Sequence, residues 1–384
     1  MPEPLRVRRL GEADADSIAE FLRAAAWDLR ATPASAREML RSAAVDNPFE
    51  PGTLPPTVGV FIGTRLVGYV TSIPTRIWNG RQYAPAHWLK GWRVLDEYRN
   101  SPIGFLLLKE MLRTLGLAAS LPAALLPRQL SVALGMRDLG AVRDYVQPLR
   151  PARMLRKLDV RGLEHLQRLP ALAAGALRLA RSAPVAGVLG GLTSLGLLAV
   201  RLPHALRGRA LRAELRERLP DEAALDALWS RAQRALQCSA TRSGAYLRWR
   251  YEASAHGRYR FAAIWRGVDL VALAVLAPPQ RSGDARLAGL AIGSVVDLVL
   301  DADCPGALLR ALSLARRWAR QANYDALLLT ASPRALRAPL LRSGYVPAPG
   351  NIHLLLRDPG AAHGLSTDLD VWMVTRGDAW GDHL

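Results

Sequence analysis

One order of elements can be read twice along this chain, and that repetition constrains the fold more than any single motif does. In the first half, Thr57–Ile62 and Arg65–Ser72 are apolar runs around Gly63-Thr64 and predict a tight hairpin. The turn signal Asn79-Gly80 follows, then a strand from Pro85 to Val94 and a helix beginning at Gly104. A strand at Gln129–Leu134 and a helix at Met136–Val146 come next. In the second half, Tyr259–Trp265 and Leu270–Leu276 flank the turn Arg266-Gly-Val-Asp269. A strand at Ile292–Leu300, a helix at Ala307–Gln321, a strand at Tyr324–Thr330 and a short helix at Pro333–Leu341 repeat the order. Ile352–Leu356 and Val371–Thr375 are expected to complete the second sheet. Ahead of it all, Leu5–Leu10 reads as a strand, and Asp14–Trp27 as a helix with Ile18, Phe21, Leu22 and Ala25 on one face. An approximate internal duplication is the architectural expectation.

With 384 residues, half of them hydrophobic, the chain can bury a sizeable core. Its net charge of +18 predicts attraction to nucleic acid, anionic membrane or an anionic ligand. The charge is spread along the sequence, without zinc-finger spacing, an RNA-binding aromatic signature or a long basic block, so no nucleic-acid partner is expected. Cys238 and Cys304 are the only cysteines, too few for a disulfide framework or a cysteine-rich metal site. The histidines are scattered without ligand spacing, and no metal is expected. Met1-Pro-Glu-Pro-Leu-Arg6 lacks the apolar core of a signal peptide, and a cytoplasmic location is the expectation.

Between about Leu155 and Pro220 the pattern becomes helical pieces separated by Pro170, Pro184 and Pro203. Ser182–Val200 is uncharged and about the minimum length for a bilayer span, but its glycines and prolines favour a buried or surface-lying hairpin. Just beyond, Arg207, Arg209, Arg212, Arg216 and Arg218 with Glu214 and Glu217 read as a solvated basic helix face. Peripheral membrane contact stays open on the same residues. A helix from Asp221 to Leu236 closes the region.

The stretch Val94-Leu-Asp-Glu-Tyr-Arg-Asn-Ser-Pro-Ile-Gly104 leaves a strand and opens a helix, a junction whose outward N–H groups can hold phosphate. Together with Gly68 in the preceding hairpin and Ala141-Val-Arg-Asp-Tyr145, it resembles the GCN5-related N-acetyltransferase superfamily over roughly residues 5–155. Residues 237–376 resemble the same fold more faintly. The resemblance implies a mixed α/β (α+β) fold of two such domains, each a mostly antiparallel mixed sheet flanked by helices. Their expected extents are 1–156 and 237–384, with 157–236 as a helical insertion. In that family the loop follows Arg or Gln, two residues, Gly, one residue, then Gly or Ala, and its amides grip the CoA pyrophosphate. Arg99 and Gly104 match; Pro102 stands where the first glycine is usual and has no N–H to donate. The resemblance therefore implies acetyl-CoA as cofactor, held by Leu95, Arg99, Asn100, Ser101, Ile103, Gly104 and Phe105. The corresponding Leu300-Asp-Ala-Asp-Cys-Pro-Gly306 carries two carboxylates that would repel a pyrophosphate, so the second copy is expected to be degenerate.

Acetyl transfer to an amine needs a held cofactor, a base for the amine and protonation of the departing thiolate. The resemblance implies Tyr145 as the acid; an aromatic that only packs a helix is the plain alternative. Glu97 and His87 are candidate bases, with Asp96 and a strand-bound water as alternatives. Lys90, Trp88 and Trp92 are expected to share one face of their strand. Tyr246-Leu-Arg-Trp-Arg-Tyr251 either clamps an anionic or sugar substrate or seats one domain on the other. The expected activity is acetyl transfer to a primary amine of a small molecule such as an amino sugar or amino acid. The alternative is a non-catalytic CoA-binding or scaffolding protein of two eroded domains at a membrane. No oligomeric state follows from the sequence.

Overall fold

The computed structural model describes residues 3–42, 47–50, 54–157, 182–204, 208–252, 259–279 and 289–378. The chain begins with β1 (Leu5–Arg9), α1 (Ala15–Ala24) and α2 (Pro33–Ser42). The hairpin β2 (Thr57–Ile62) and β3 (Arg65–Trp78) leads to β4 (Tyr83–Val94), then α3 (Ile103–Thr114) and the three-residue β5 (Ala118–Ser120). Next come α4 (Leu125–Ala133), β6 (Arg137–Ala141), β7 (Asp144–Pro148) and α5 (Pro151–Lys157). Two expectations fail here: Gln129–Leu134 is helical, and Met136–Val146 is two strands joined by Val142-Arg143. The alternating apolar side chains of Gln129–Leu134 imitate a strand, but Ser131 bonds back to the Pro127 carbonyl as helical serines do.

After α6 (Ala183–Arg201) the expected basic helix is instead an edge strand, β8 (Arg212–Arg216), antiparallel to β10. Its alternation sends Ala213 toward the core and puts Arg212, Glu214 and Arg216 on the other face, where they pair with one another. Then follow α7 (Glu222–Ala232), β9 (Cys238–Ala240), α8 (Gly244–Tyr251), β10 (Arg260–Arg266), β11 (Asp269–Ala277) and β12 (Ile292–Leu300). The last elements are α9 (Pro305–Gln321), β13 (Ala326–Thr330), α10 (Arg334–Arg342), β14 (Val346–Ala348), β15 (His353–Arg357) and β16 (Trp372–Met373). Ser182–Val200 is therefore one continuous helix, not a hairpin. Pro184 sits in its first turn, where a missing N–H costs nothing. Residues 158–181, read as helical from sequence, lie outside the described residues.

The strand order repeats in two sheets, and the two halves exchange a strand. The first sheet runs β1-β2-β3-β4-β5-β15-β6, with β9 and β16 attached beyond β3; the second runs β8-β10-β11-β12-β13-β7-β14. In each, the inner pair β4–β5 or β12–β13 is parallel, and its neighbours along the main path are antiparallel. The expectation that Ile352–Leu356 and Val371–Thr375 would finish the second sheet is thus corrected: β15 and β16 lie in the first, and β7 of the first half lies in the second. Val142-Arg143 after β6 carries the chain across to the other sheet instead of turning it back into a hairpin on β6. Where the two crossing segments pass, the Val142 N–H donates to the Ile352 carbonyl at 2.8 Å.

Three apolar clusters follow from this layout. One lies under α1 and α3, one under α9 and α10, and the third joins the halves, with Trp88 and Ile73 against Trp229, Tyr246 and Trp249. The 246–251 segment accordingly seats one half on the other; Tyr246, Trp249 and Tyr251 are buried.

Candidate functional site

The parallel pair β4–β5 holds together only at His87↔Ala118 and Trp88↔Ala119, and the strands part beyond it. From Leu89 to Val94 the edge of β4 that faces away from β3 has no strand partner among the described residues. The bulge that bends β4 away sits at Gly91, where φ is +65° and one residue of β3 opposes two of β4. It also corrects the one-face expectation for the tryptophans. Trp88 points into the cluster between the halves, whereas Trp92 packs toward α3, close to Gly104 and Leu130.

At the open end of this fork lies the loop into α3. Gly68 lets α3 settle directly on β3: a methyl there would come within 2.8 Å of Ile103 and 2.9 Å of Leu107. Leu95 is buried and its N–H continues the sheet to the Val67 carbonyl. Ser101 N–H donates to the Tyr98 carbonyl at 3.0 Å, so it is not free to grip a ligand as expected. Ile103 N–H makes only a long contact, 3.4 Å, with the Ser101 hydroxyl. No described acceptor takes the N–H groups of Gly104 and Phe105, and helix α3 points its positive end at the same place. A side chain at Gly104 would meet nothing closer than 3.7 Å, so the glycine leaves approach to the backbone open. Arg99 is exposed and pairs with Asp96 at 2.7 Å; Asn100 is exposed beside it. Arg93, stacked 4.4 Å from the Trp27 ring, has its pKa lowered by burial and by Arg99. Two guanidiniums thus flank free amides at a helix N-terminus, a fit for a pyrophosphate.

Of the candidate proton-transfer groups, His87 stands at the apex of the fork. Its N–H bonds the Leu117 carbonyl at 3.0 Å, its Nδ1 is 3.2 Å from the Ser72 hydroxyl, and Nε2 is 3.8 Å from Glu50. Burial pushes its pKa below the ordinary range, partly offset by Glu50, so the imidazole is neutral at pH 7. Glu97 is instead on the rim, half exposed and paired with Arg65 at 2.7 Å. Tyr145 is not on a helix. It lies on β7 in the second sheet, opposite Leu329 and Pro347, 2% exposed in the core of the second half.

The duplicated geometry shows why Tyr145 was misplaced. Each short helix ends at a left-handed glycine, Gly135 (φ +89°) after α4 and Gly344 (φ +82°) after α10. Four residues before Gly344 is Leu340; four before Gly135 is Ser131, buried and bonded to its own helix.

Strand exchange also brings in a residue that sequence reasoning missed. His353, from the second half, sits on β15 beside β5, its N–H donating to Pro122 at 3.1 Å. Nδ1 donates to Asp138 at 3.0 Å, which leaves Nε2 to accept from Arg128 of α4 at 2.8 Å. The pairing partners are far apart in sequence, and no local signal marks them.

The second fork is built alike and filled. β12 and β13 pair from Ile292↔Ala326 to Val295↔Leu329. Beyond, Gly377 donates to the Val296 carbonyl at 2.7 Å, and Thr375 bridges Ala331, so residues 374–378 occupy the opening. Arg242, buried, locks them there: Nε bonds Asp297 at 2.7 Å and Nη2 bonds Asp378 at 2.8 Å. Tyr251 adds a bond to Asp297 at 2.9 Å. Burial raises the Asp378 pKa and Arg242 pulls it back down, although the net direction stays upward. In the loop before α9, the Asp301 carboxylate accepts the Asp303 N–H at 3.0 Å and pairs with Arg231 at 2.9 Å. Asp301 stands at the position of Leu95, so this loop carries a buried carboxylate where the first half has an apolar side chain. Among the described residues no group of three or more metal-ligating side chains is present.

No family model matches the chain, and no curated protein matches it. Solved structures do. A probable N-acyltransferase from Enterococcus faecalis aligns with 92% of this chain and 72% of its own, at TM-score 0.55 and 11% identity. A GCN5-related N-acetyltransferase from Kribbella flavida aligns over 94% and 73%, at TM-score 0.55 and 16% identity. The N-myristoyltransferase of Saccharomyces cerevisiae, with bound myristoyl-CoA, aligns over 97% and 85%, at TM-score 0.55 and 14% identity. At such identities the likeness is one of fold.

Proposed function

We propose, from a chain that has the GCN5-related N-acetyltransferase fold in both halves, that the first half is an acyl-CoA-dependent N-acyltransferase and the second is its degenerate copy. The observation that carries this reading is the contrast between the forks. One has an unpartnered strand edge and free amides at its mouth; the other is filled by residues 374–378 and locked by Arg242.

In this reading the N–H groups of Gly104 and Phe105, with Arg99, hold the CoA pyrophosphate. The thioester arm lies along β4 between Leu89 and Val94, where the strand edge offers peptide groups. CoA supplies an activated acyl group. A primary amine attacks the thioester carbonyl; the new C–N bond forms as C–S breaks, the amine proton passes to His87 or to water beside it, and the thiolate takes up a proton. A thiol of pKa about 8.5 leaves without a strong acid, so the unavailability of Ser131 and the placement of Tyr145 do not block transfer. Acetyl-CoA as donor and an amino sugar or amino acid as acceptor are the finer form of the proposal. The myristoyl-CoA of the yeast neighbour makes acyl length the first property to measure.

Titration calorimetry with acetyl-CoA and with myristoyl-CoA tests the reading: one site per chain is expected for the preferred donor, and no heat from either would sink it. A second reading, a non-catalytic CoA-binding scaffold, is favoured by Pro102 and by the occupied Ser101 N–H. It predicts CoA binding with no thiol release across a panel of amines.

A further inference from the structure

Helix α6 carries no charge from Ala183 to Val200 and, among the described residues, is the one helix long and apolar enough to cross a bilayer. It meets the body along a narrow stripe: Ala186 and Gly190 are buried, and a methyl at Gly190 would sit 2.5 Å from the Ala152 nitrogen. Among the described residues most of the remaining surface is uncovered, with Leu192 and Leu195 61% and 64% exposed and only Val185 and Leu197 half-buried. Thr193 and Ser194 donate to the Leu189 and Gly190 carbonyls at 2.8 Å, so their hydroxyls do not need water. A soluble monomer rarely leaves an apolar face of this extent uncovered.

Where α6 ends, a cavity of about 300 Å³ opens, lined by Arg201, Arg209, Arg310, Arg316, Arg317 and Arg342. None of the six pairs with a described carboxylate, and Arg310 Nε is buried without a hydrogen-bond partner. Burial, with Arg316 and Arg320 nearby, pushes the Arg201 pKa down to about 10, a sign of positive charge left uncompensated. The arginines come from α6, the loop after it, α9 and α10, so the fold gathers them at one spot rather than along one basic run.

We propose that this face docks on an anionic phospholipid bilayer, α6 lying in the interface and the arginine cavity taking a lipid phosphate. The order of chemistry along the surface is that of a lipid monolayer: hydrocarbon against α6, then phosphate against the guanidiniums. Nucleic acid would leave α6 in water, and a free anion would explain only the cavity. At ~1.5 Å per residue α6 is roughly 28 Å long, and its contact with α5 holds it against the body rather than free to cross.

Flotation of the full chain with vesicles tests this. Binding is expected to phosphatidylglycerol–phosphatidylcholine vesicles and not to phosphatidylcholine alone. Leu192→Glu should weaken it about tenfold or more, and Arg317→Gln and Arg342→Gln about fivefold each. All three side chains are exposed, and an unchanged melting temperature would show that the variants fold. The proposal is overturned by absent binding to anionic vesicles, or by inorganic phosphate binding that Leu192→Glu leaves intact while vesicles do not bind. A duplex oligonucleotide bound more tightly than vesicles and indifferently to Leu192→Glu would also overturn it. So would a lipid-free dimer that this variant dissociates.

Discussion

Gly350 passes so close to Val142 that a methyl group on it would lie 1.7 Å from the Val142 carbonyl oxygen. This is the crossing point of the two exchanged segments, and no side chain rotation relieves a clash with backbone. Gly350→Ala should destabilise the fold by about 3 kcal/mol or more. Urea denaturation will measure it; a loss below about 1 kcal/mol would mean the crossing is looser than described.

The plug of the second fork makes a separate prediction. Removing Arg242 leaves Asp297 and Asp378 buried without their cation, and Arg242→Ala should cost about 3–5 kcal/mol. Acyl-CoA titrated into the folded fraction should still bind with unchanged stoichiometry, because the plug belongs to the other half. Loss of the cofactor site with stability intact would contradict the division of roles.

Gly104→Ala separates binding from folding. The added methyl meets no atom closer than 3.7 Å and replaces glycine within α3, so stability should hold or rise slightly. It also stands beside the Gly104 N–H, which the proposed function assigns to pyrophosphate. Alanine keeps the N–H but its methyl crowds the approach to it, and acyl-CoA is expected to bind about tenfold more weakly. Calorimetry and a thermal melt on one sample decide the matter, since equal affinity would remove Gly104 from the phosphate seat.

His87 gives a pH signature. Its folded pKa lies below the ordinary value of about 6.5, so the neutral form is favoured in the fold. The stability this confers is present above about pH 6.5 and is lost as pH falls through the lower folded value. In kcat/KM the acidic limb should fall below pH 6.5, and His87→Gln should abolish it with a loss of about 100-fold. A pH profile unchanged in that variant would pass the base role to water or another group.

Tyr145→Phe should leave turnover within about twofold of the parent, because the ring sits in the second sheet and the position equivalent to Leu340 is Ser131. A drop of more than tenfold with unchanged acyl-CoA affinity would restore it as the acid.

What could be read from sequence was whatever the chain writes locally. Both hairpins, the long β4 and the loop into α3 carry their own turn residues and periodicity, and each was legible. β5 was not, for Ala118–Ser120 is three residues with no room for a pattern. Tyr145 went to a helix because Ala141 and Tyr145 stand four apart, while Val142-Arg143 between them is a crossing rather than a turn of helix. β8 was hidden by Arg212, Glu214 and Arg216, which resemble a charged helix face but alternate with Ala213 and Leu215. His353 and the filled second fork depend on partners from distant parts of the chain, and only tertiary packing reveals them.

The exchange of β7 and β15 has a consequence for how the protein is made. As the chain leaves the ribosome, the first sheet has a gap between β5 and β6 that nothing can fill until His353–Arg357 has been synthesised. β7, meanwhile, is finished early and waits without a sheet to join. The open edge and the idle strand are both templates for wrong pairing during translation. A ribosome stalled anywhere before residue 353 therefore carries a first half whose open fork has one wall missing its support, however complete that half looks in sequence.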